Sequence, residues 1–261
     1  MSESLVRAAT NLAKREEPRV VVATGLLFSA LSQHHGSRSI GTLLESYRGG
    51  TWGTEAAEGC GYRVLRSTNM RGARVDVRDA AWRGVPDRQA KSCTLQAGDI
   101  LVAKSSGSSD LVGKATIFED PGDGAVYLFS NFLIRLRPDP RLVVPDYLAW
   151  FLRSPQGLSW RFQAQQTAVG LRNLDTDLYL SQAVPCPPLG LQSAVAAYLR
   201  SVEMTRDKII CEGLPEYLSK QHRIVCLQSK ADALTRLHTR IAADLDALMP
   251  SILYEAFRGE L

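Results

Sequence analysis

The stretch 104-KSSGSSDLVGKATIF-118 decides how the chain is read. Its small polar residues and the Gly113–Lys114 pair give it the look of a phosphate-binding loop. It departs from the Walker A pattern, because five residues separate Gly107 from Gly113 and Ala115 stands where a Mg²⁺-binding Ser or Thr would follow the lysine. Walker loops also lead from a strand into a helix whose N-terminus receives the phosphate. Here apolar ILVA precedes and ATIF follows, so the segment predicts strand–loop–strand and argues against a nucleotide-hydrolysing enzyme. Such a loop still offers Lys104, Ser105, Ser106, Ser108 and Lys114 to an external phosphate chain, since hydroxyls and ammonium groups position proteins on DNA. A plain flexible hairpin is the equal alternative.

Outward from this loop, residues 36–189 alternate glycine-rich turns with short apolar runs: YRVLRST, DILVAK, KATIF and AVYLFSNFLIRLR read as strands. PDYLAWFLRS and PQGLSWRFQAQQ read as helices, the first opening with Pro145 in its first turn. The fold class expected is α+β. Residues 1–35 read as an N-terminal helical arm, with a stripe of Leu5, Ala8, Ala9 and Leu12 that Pro18 interrupts. The proline cluster VPCPPL closes the mixed domain. Residues 190–261 then read as a helical spacer and dimerisation region.

In that region Leu191, Ala194, Val195, Tyr198, Leu199 and Val202 share one helical face. Further on, Ile224, Ala231, His238, Leu245 and Ile252 recur every seven residues, with Leu227, Leu234, Ile241 and Leu248 three positions later. This is an a/d ladder of about four heptads, long enough for a coiled coil. A helix lying on its own domain is the plainer alternative. No segment of equal length is available to pair with the ladder inside the chain, which implies a second molecule or a different subunit. A polar residue such as His238 at an a position either sets register or sits in a partly wet layer.

The formal net charge of +4 is too small to identify a polyanion partner. Between Gly61 and Lys91, however, eight basic residues stand against three acids, and Arg63, Arg66, Asn69, Arg71 and Arg74 head the candidates for holding a phosphate backbone. Alone, such a stretch also suits a solvated face. The run QAQQTAVGLRNLD supplies Gln163, Gln165, Gln166, Arg172 and Asn173, whose amide and guanidinium groups can read adenine and guanine edges in a major groove. A polar loop is the alternative there.

Five scattered cysteines without a CxxC point to reduced thiols and a cytoplasmic location, not to a disulfide framework or a zinc site. The longest apolar run, VVVATGLLFSAL from Val20, is too short for a membrane span. No nucleophile elbow, HExxH or methyltransferase motif stands out, so no catalytic residue is expected.

The motifs GYRVLRSTNMRG, LQAGDILVAKSSGSSDLVGKATIF, FSNFLIRLRPDP, YLAWFLRSPQG, QTAVGLRNL and VPCPPLGLQSAVAAYL follow one another in an order that resembles the target-recognition domain of type I restriction-modification specificity subunits. YLSKQHRIVCLQSKADAL and AADLDALMPSILYEAFRGEL look like the helical region that closes such a domain. The resemblance runs from Gly36 to Leu261 and is to a half-sized form with a single recognition domain. It implies a non-catalytic chain that reads one half of a split site on double-stranded DNA and recruits a DNA methyltransferase subunit. S-adenosylmethionine would lie on that partner. ATP and Mg²⁺ would lie on a motor-nuclease subunit, where one joins, and no cofactor in this chain. Half size also implies a homodimer reading an interrupted palindrome. The alternative from another class is a protein-interaction adaptor assembled by its coiled coil, without sequence-specific DNA binding.

Overall fold

The computed structural model describes residues 18–168, 171–204 and 213–221, and then 224–227, 230–231, 234–235 and 237–243. The stripe from Leu5 to Leu12 and the ladder positions Leu245, Leu248 and Ile252 lie outside the described residues. The helices are α1 (Pro18–His34), α2 (Asp87–Cys93), α3 (Pro145–Arg153), α4 (Pro155–Gln163), α5 (Thr176–Leu180) and α6 (Leu189–Met204). The strands begin with β1 (Ser37–Ser39), β2 (Leu44–Gly49), β3 (Thr54–Glu55), β4 (Tyr62–Leu65), β5 (Met70–Arg71), β6 (Arg74–Val75) and β7 (Ala81–Gly84). They continue with β8 (Ile100–Ala103), β9 (Ser105–Ser106), β10 (Ala115–Ile117), β11 (Tyr127–Phe129) and β12 (Leu133–Pro138). The last are β13 (Gln165–Ala168), β14 (Leu171–Leu174) and β15 (Ala183–Pro185). The expected α+β class is what the chain adopts.

β8 explains the architecture. All four of its residues are buried, although its neighbours β12 and β10 run antiparallel to it. A strand with one wet face alternates in polarity, whereas one covered on both faces reads as a continuous apolar run, and ILVA is such a run. Its sheet has the order β2-β12-β8-β10-β6-β5. Ile100 and Val102 point into a core shared with Leu27, Phe28 and Leu31 of α1, Tyr147 and Phe151 of α3, and Val195, Tyr198 and Leu199 of α6. Leu101 and Ala103 point into a second core with Val64 and Leu65 of β4, Tyr127–Phe129 of β11, and Ala90 and Cys93 of α2. β11, β4, β7 and β3 form the sheet over that second core.

The run AVYLFSNFLIRLR is not one strand. β11 pairs with β4 and β12 with β8, so the chain changes sheets between them through a turn closed by the Leu133 amide on the Ser130 carbonyl at 2.9 Å. Asn131 and Phe132 sit at its exposed tip. β12 is tied to the start of β8 by Arg137, which grips the buried carboxylate of Asp99 with two hydrogen bonds of 2.8 and 2.7 Å.

Both proline-opened helices start where the sequence places them, but the second ends at Gln163, and Gln165 and Gln166, read as helical, begin β13 instead. Ser154 caps α4, its hydroxyl accepting from the Gly157 amide. Gly157 has to be glycine, since a Cβ there would lie 2.4 Å from the Phe151 carbonyl of α3. Pro18 opens α1, and the apolar VVVATGLLFSAL forms a helix that packs edge-on against α3, with Phe28 at 5.3 Å from Tyr147 and 5.2 Å from Phe151 between ring centroids. The main core thus draws residues from all three sequence segments. Beyond α6, residues 216–221, 224–227, 230–231, 234–235 and 237–243 are helical. Leu218 and Val225 enter the main core, while Tyr217 stacks on His34 at 4.1 Å and shares a 2.8 Å hydrogen bond with His35.

Because Phe28 is fully buried between the two rings, Phe28→Ala is expected to destabilise the whole domain by about 3–5 kcal/mol. Urea unfolding followed by tryptophan fluorescence checks this, Trp150 lying in the same core. An unmoved midpoint would mean that α1 is a separate arm.

Candidate nucleic-acid interface

Two of the three candidate groups contribute strands to one small sheet. The amide-rich run folds into the β13–β14 hairpin, pairing Gln166 with Asn173 and Thr167 with Arg172. β14 then pairs with β9, setting Arg172 opposite Ser106 and Asn173 opposite Ser105. The Ser105 hydroxyl donates to the Asn173 side-chain oxygen at 2.6 Å. Gln163 is exposed, and Gln166 is exposed with its amide on Asp175 at 2.7 Å. Gln165 faces inward, its amide donating to the Ser109 and Val112 carbonyls at 2.8 and 3.1 Å. It braces the neighbouring loop and does not present its amide to solvent.

That loop, from Gly107 to Lys114, is held from behind. Arg161 donates to the Asp110 carbonyl at 2.9 Å and the Tyr179 hydroxyl to the Gly113 carbonyl at 3.3 Å, in addition to the two bonds from Gln165. Gly113 lies at φ +74°, and a Cβ there would meet Arg161 at 3.0 Å, so both backbone shape and proximity require glycine. Burial pushes the Tyr179 phenol well above its ordinary range and keeps it a donor. The loop runs into β10, as strand–loop–strand predicts, and the plain flexible hairpin is replaced by an anchored one. Ser106 and Ser108 hydroxyls accept from the Ser108 and Asp110 amides inside it.

The basic stretch is less free than its composition suggests. Arg63 pairs with Asp123 at 2.6 Å, Arg66 with Asp79 at 3.6 Å, and Arg71 with Asp76 and Asp79 at 3.7 and 3.8 Å. Arg74 pairs with Glu119, and Arg83 with Glu55 while lying 3.9 Å over the Trp52 ring. Three of these acids, Asp123, Glu119 and Glu55, come from outside the stretch. Asn69 has to be withdrawn from the surface candidates. It is fully buried, its oxygen accepting from the Arg66 amide at 2.8 Å and its NH₂ donating to the Asp76 carbonyl at 2.8 Å and to the Asp79 carboxylate at 2.5 Å. Lys114 is half-buried and donates to the Met70 carbonyl, which joins the loop to β5. By contrast Lys104 and Arg172 are exposed and make no ion pair among the described residues.

Backbone hydrogen bonds draw these groups to one end of the central sheet. The Lys104 amide donates to the Phe132 carbonyl and the Leu174 amide to the Lys104 carbonyl, both at 2.8 Å. The Ser130 amide donates to the Leu65 carbonyl at 2.9 Å, next to Arg66. The turn carrying Asn131 and Phe132 therefore lies between the basic stretch and the β9–β14 ribbon. Sequence reasoning missed this pair. The Ser-Asn inside an otherwise apolar run was the available signal. Arg48 was also missed; it is exposed on β2 and sits directly opposite Arg135 of β12.

Ile224, Leu227, Ala231, Leu234, His238 and Ile241 of the ladder are all exposed on their helix. Cys60, Cys93, Cys186 and Cys226 are free thiols. Among the described residues, no group of three His, Cys, Asp or Glu side chains gathers to hold a metal ion, and no helix is long and apolar enough to cross a membrane.

No protein-family model matches the chain. It is 25% identical over 220 residues to the type I restriction enzyme EcoKI specificity subunit of Escherichia coli K12, spanning 84% of this chain and 42% of that one. It is 23% identical over 252 residues to the StySPI specificity subunit of Salmonella potsdam, spanning 95% and 49%. The chain thus covers about half the length of these curated relatives. Its fold is similar to a solved structure described as "Structural basis underlying complex assembly and conformational transition of the type I R-M system", with a TM-score of 0.53 at 17% identity, over 99% of this chain and 56% of that one. The adaptor alternative finds no support among them.

The Asp76–Arg78 pair that follows β6 leads to a pH prediction. The Arg78 guanidinium, with help from the Arg78 amide and from Arg71, holds the Asp76 carboxyl well below the ordinary carboxylate range. A depressed carboxylate stabilises the fold above its unfolded-state pKa of about 4, and that contribution is lost as pH falls through the lower folded value. Arg78→Ala is expected to return the Asp76 titration towards the ordinary range, as ¹³C NMR of the carboxyl would record. An unmoved titration would assign the effect to other partners.

Proposed function

We propose that this homologue of type I restriction specificity subunits is a non-catalytic DNA-reading subunit, recognising one half of a bipartite site and recruiting methyltransferase subunits to it. The observation that supports this most is the gathering of Lys104, Arg172, the β13–β14 ribbon and the Asn131–Phe132 turn at one end of the central sheet. Cations without an ion pair among the described residues, together with hydroxyls, suit phosphates, and amides suit base edges. Methyl transfer from S-adenosylmethionine belongs to the partner subunit. ATP- and Mg²⁺-dependent restriction belongs to a motor-nuclease subunit in systems that have one. This chain carries no cofactor and works in the cytoplasm.

The helix after Leu218 supports a second element of the proposal. Leu227 and Leu234 are 66% and 67% exposed, and Ile224 and Ile241 47% each. Large apolar side chains repeated along one exposed stripe call for a matching surface. A second copy paired through this stripe, antiparallel, would relate the two recognition domains by a two-fold axis and match them to identical half-sites.

Methylation-aware sequencing of a host with and without the protein tests the reading: a bipartite set of sites is expected to be methylated only when it is present. Unchanged methylomes would overturn it. Inserting seven residues after Leu237 lengthens a helix by about 10 Å, or about three base pairs, and is expected to widen the gap within those sites accordingly. A gap of unchanged length would refute the spacer role.

A further inference from the structure

We infer that Phe132 is a specificity-determining residue of this interface, its ring making the apolar contact that recognises the 5-methyl group of a thymine in the major groove. The inference rests on the DNA-reading function proposed above. An exposed phenylalanine is by itself ordinary. Phe132 differs in its position. It is 51% exposed at the tip of a two-sheet turn, its carbonyl bonded to the Lys104 amide and, through Lys104, to Leu174 at the end of β14.

Lys104 and, from the adjoining ribbon, Ser105, Arg172 and Asn173 supply charges, hydroxyls and amides. Those chemistries serve phosphates and the donors and acceptors of the base edges. The thymine methyl is the one base-edge feature they cannot recognise, and it takes apolar contact. Phe132 provides that contact within this ribbon. The turn is also fixed before any ligand arrives, since the Leu133 amide closes it on Ser130, and Phe129 and Leu133 on either side are fully buried. A ring presented by a rigid turn loses little conformational freedom on binding.

The test is selection from a random duplex pool by the full chain with its methyltransferase subunit, comparing the natural protein, Phe132→Ala and Phe132→Leu, each verified as folded. The natural protein is expected to enrich a motif containing one invariant A·T pair. Replacing that thymine with deoxyuridine, which removes only the methyl, is expected to weaken its binding about fourfold, the worth of one buried methyl-sized group. Phe132→Ala is expected to lose the preference at that pair and to be indifferent to the replacement, while Phe132→Leu retains part of both. If the natural protein enriches a motif but no thymine in it responds to deoxyuridine, the inference falls. It falls equally if Phe132→Ala responds as strongly as the natural protein. If the natural protein enriches no motif at all, the DNA-reading function itself is overturned.

Discussion

The burial of β8 on both faces is the constraint on which the rest of this molecule depends. Four consecutive apolar residues, Ile100 to Ala103, leave no side of the strand for water, so the chain has to supply two separate covers. Helices α1, α3 and α6 provide one, and the sheet of β11, β4, β7 and β3 with α2 provides the other. The chain has to cross between the covers at the ends of the central strands. The crossing at Ser130–Phe132 is one of these, and backbone hydrogen bonds join it to Lys104 and, through Lys104, to the ribbon at Leu174. Core formation thus fixes where one part of the candidate interface lies.

The loop that first resembles a nucleotide cradle is stiffened by a related device. Its carbonyls at Ser109, Asp110, Val112 and Gly113 accept hydrogen bonds from Gln165, Arg161 and Tyr179 on the far side. Side chains from α4, β13 and α5 thereby set the shape of a segment that is polar and small enough to be flexible if left alone. Arg161 and Tyr179 are themselves buried, Tyr179 within the core that covers one face of β8, so the loop is held by groups that cannot move freely.

Much of this was legible in the sequence. DILVAK, KATIF and YRVLRST carry the β-branched and apolar density of strands, Pro145 opens a helix as its fixed φ allows, and the stripe from Leu191 to Val202 marks a buried helix face. The heptad ladder could be read as a face in want of cover. Other features depend on contacts between residues far apart in the chain. Asn69 looks like any polar loop residue until Asp76 and Asp79 fold over it. The arginines of the basic stretch look free because Asp123, Glu119 and Glu55 come from other parts of the chain. The β13–β14 ribbon lacks apolar alternation, its pairing with β9 being set by the loop it borders. AVYLFSNFLIRLR concealed a turn because strands on both sides of it are buried.

The pairing of Arg63, Arg66, Arg71, Arg74 and Arg83 with carboxylates has a consequence for long-range forces. A guanidinium beside a carboxylate acts at a distance as a dipole, and its field fades faster than that of a lone charge. With a Debye length of about 8 Å in physiological salt, the stretch draws a polyanion weakly from afar. Lys104 and Arg172, exposed and without an ion pair among the described residues, keep their full monopole field, so the ribbon attracts a polyanion from farther away than these paired arginines do. A surface of this kind discriminates by close fit and is spared the indiscriminate stickiness of an open arginine patch.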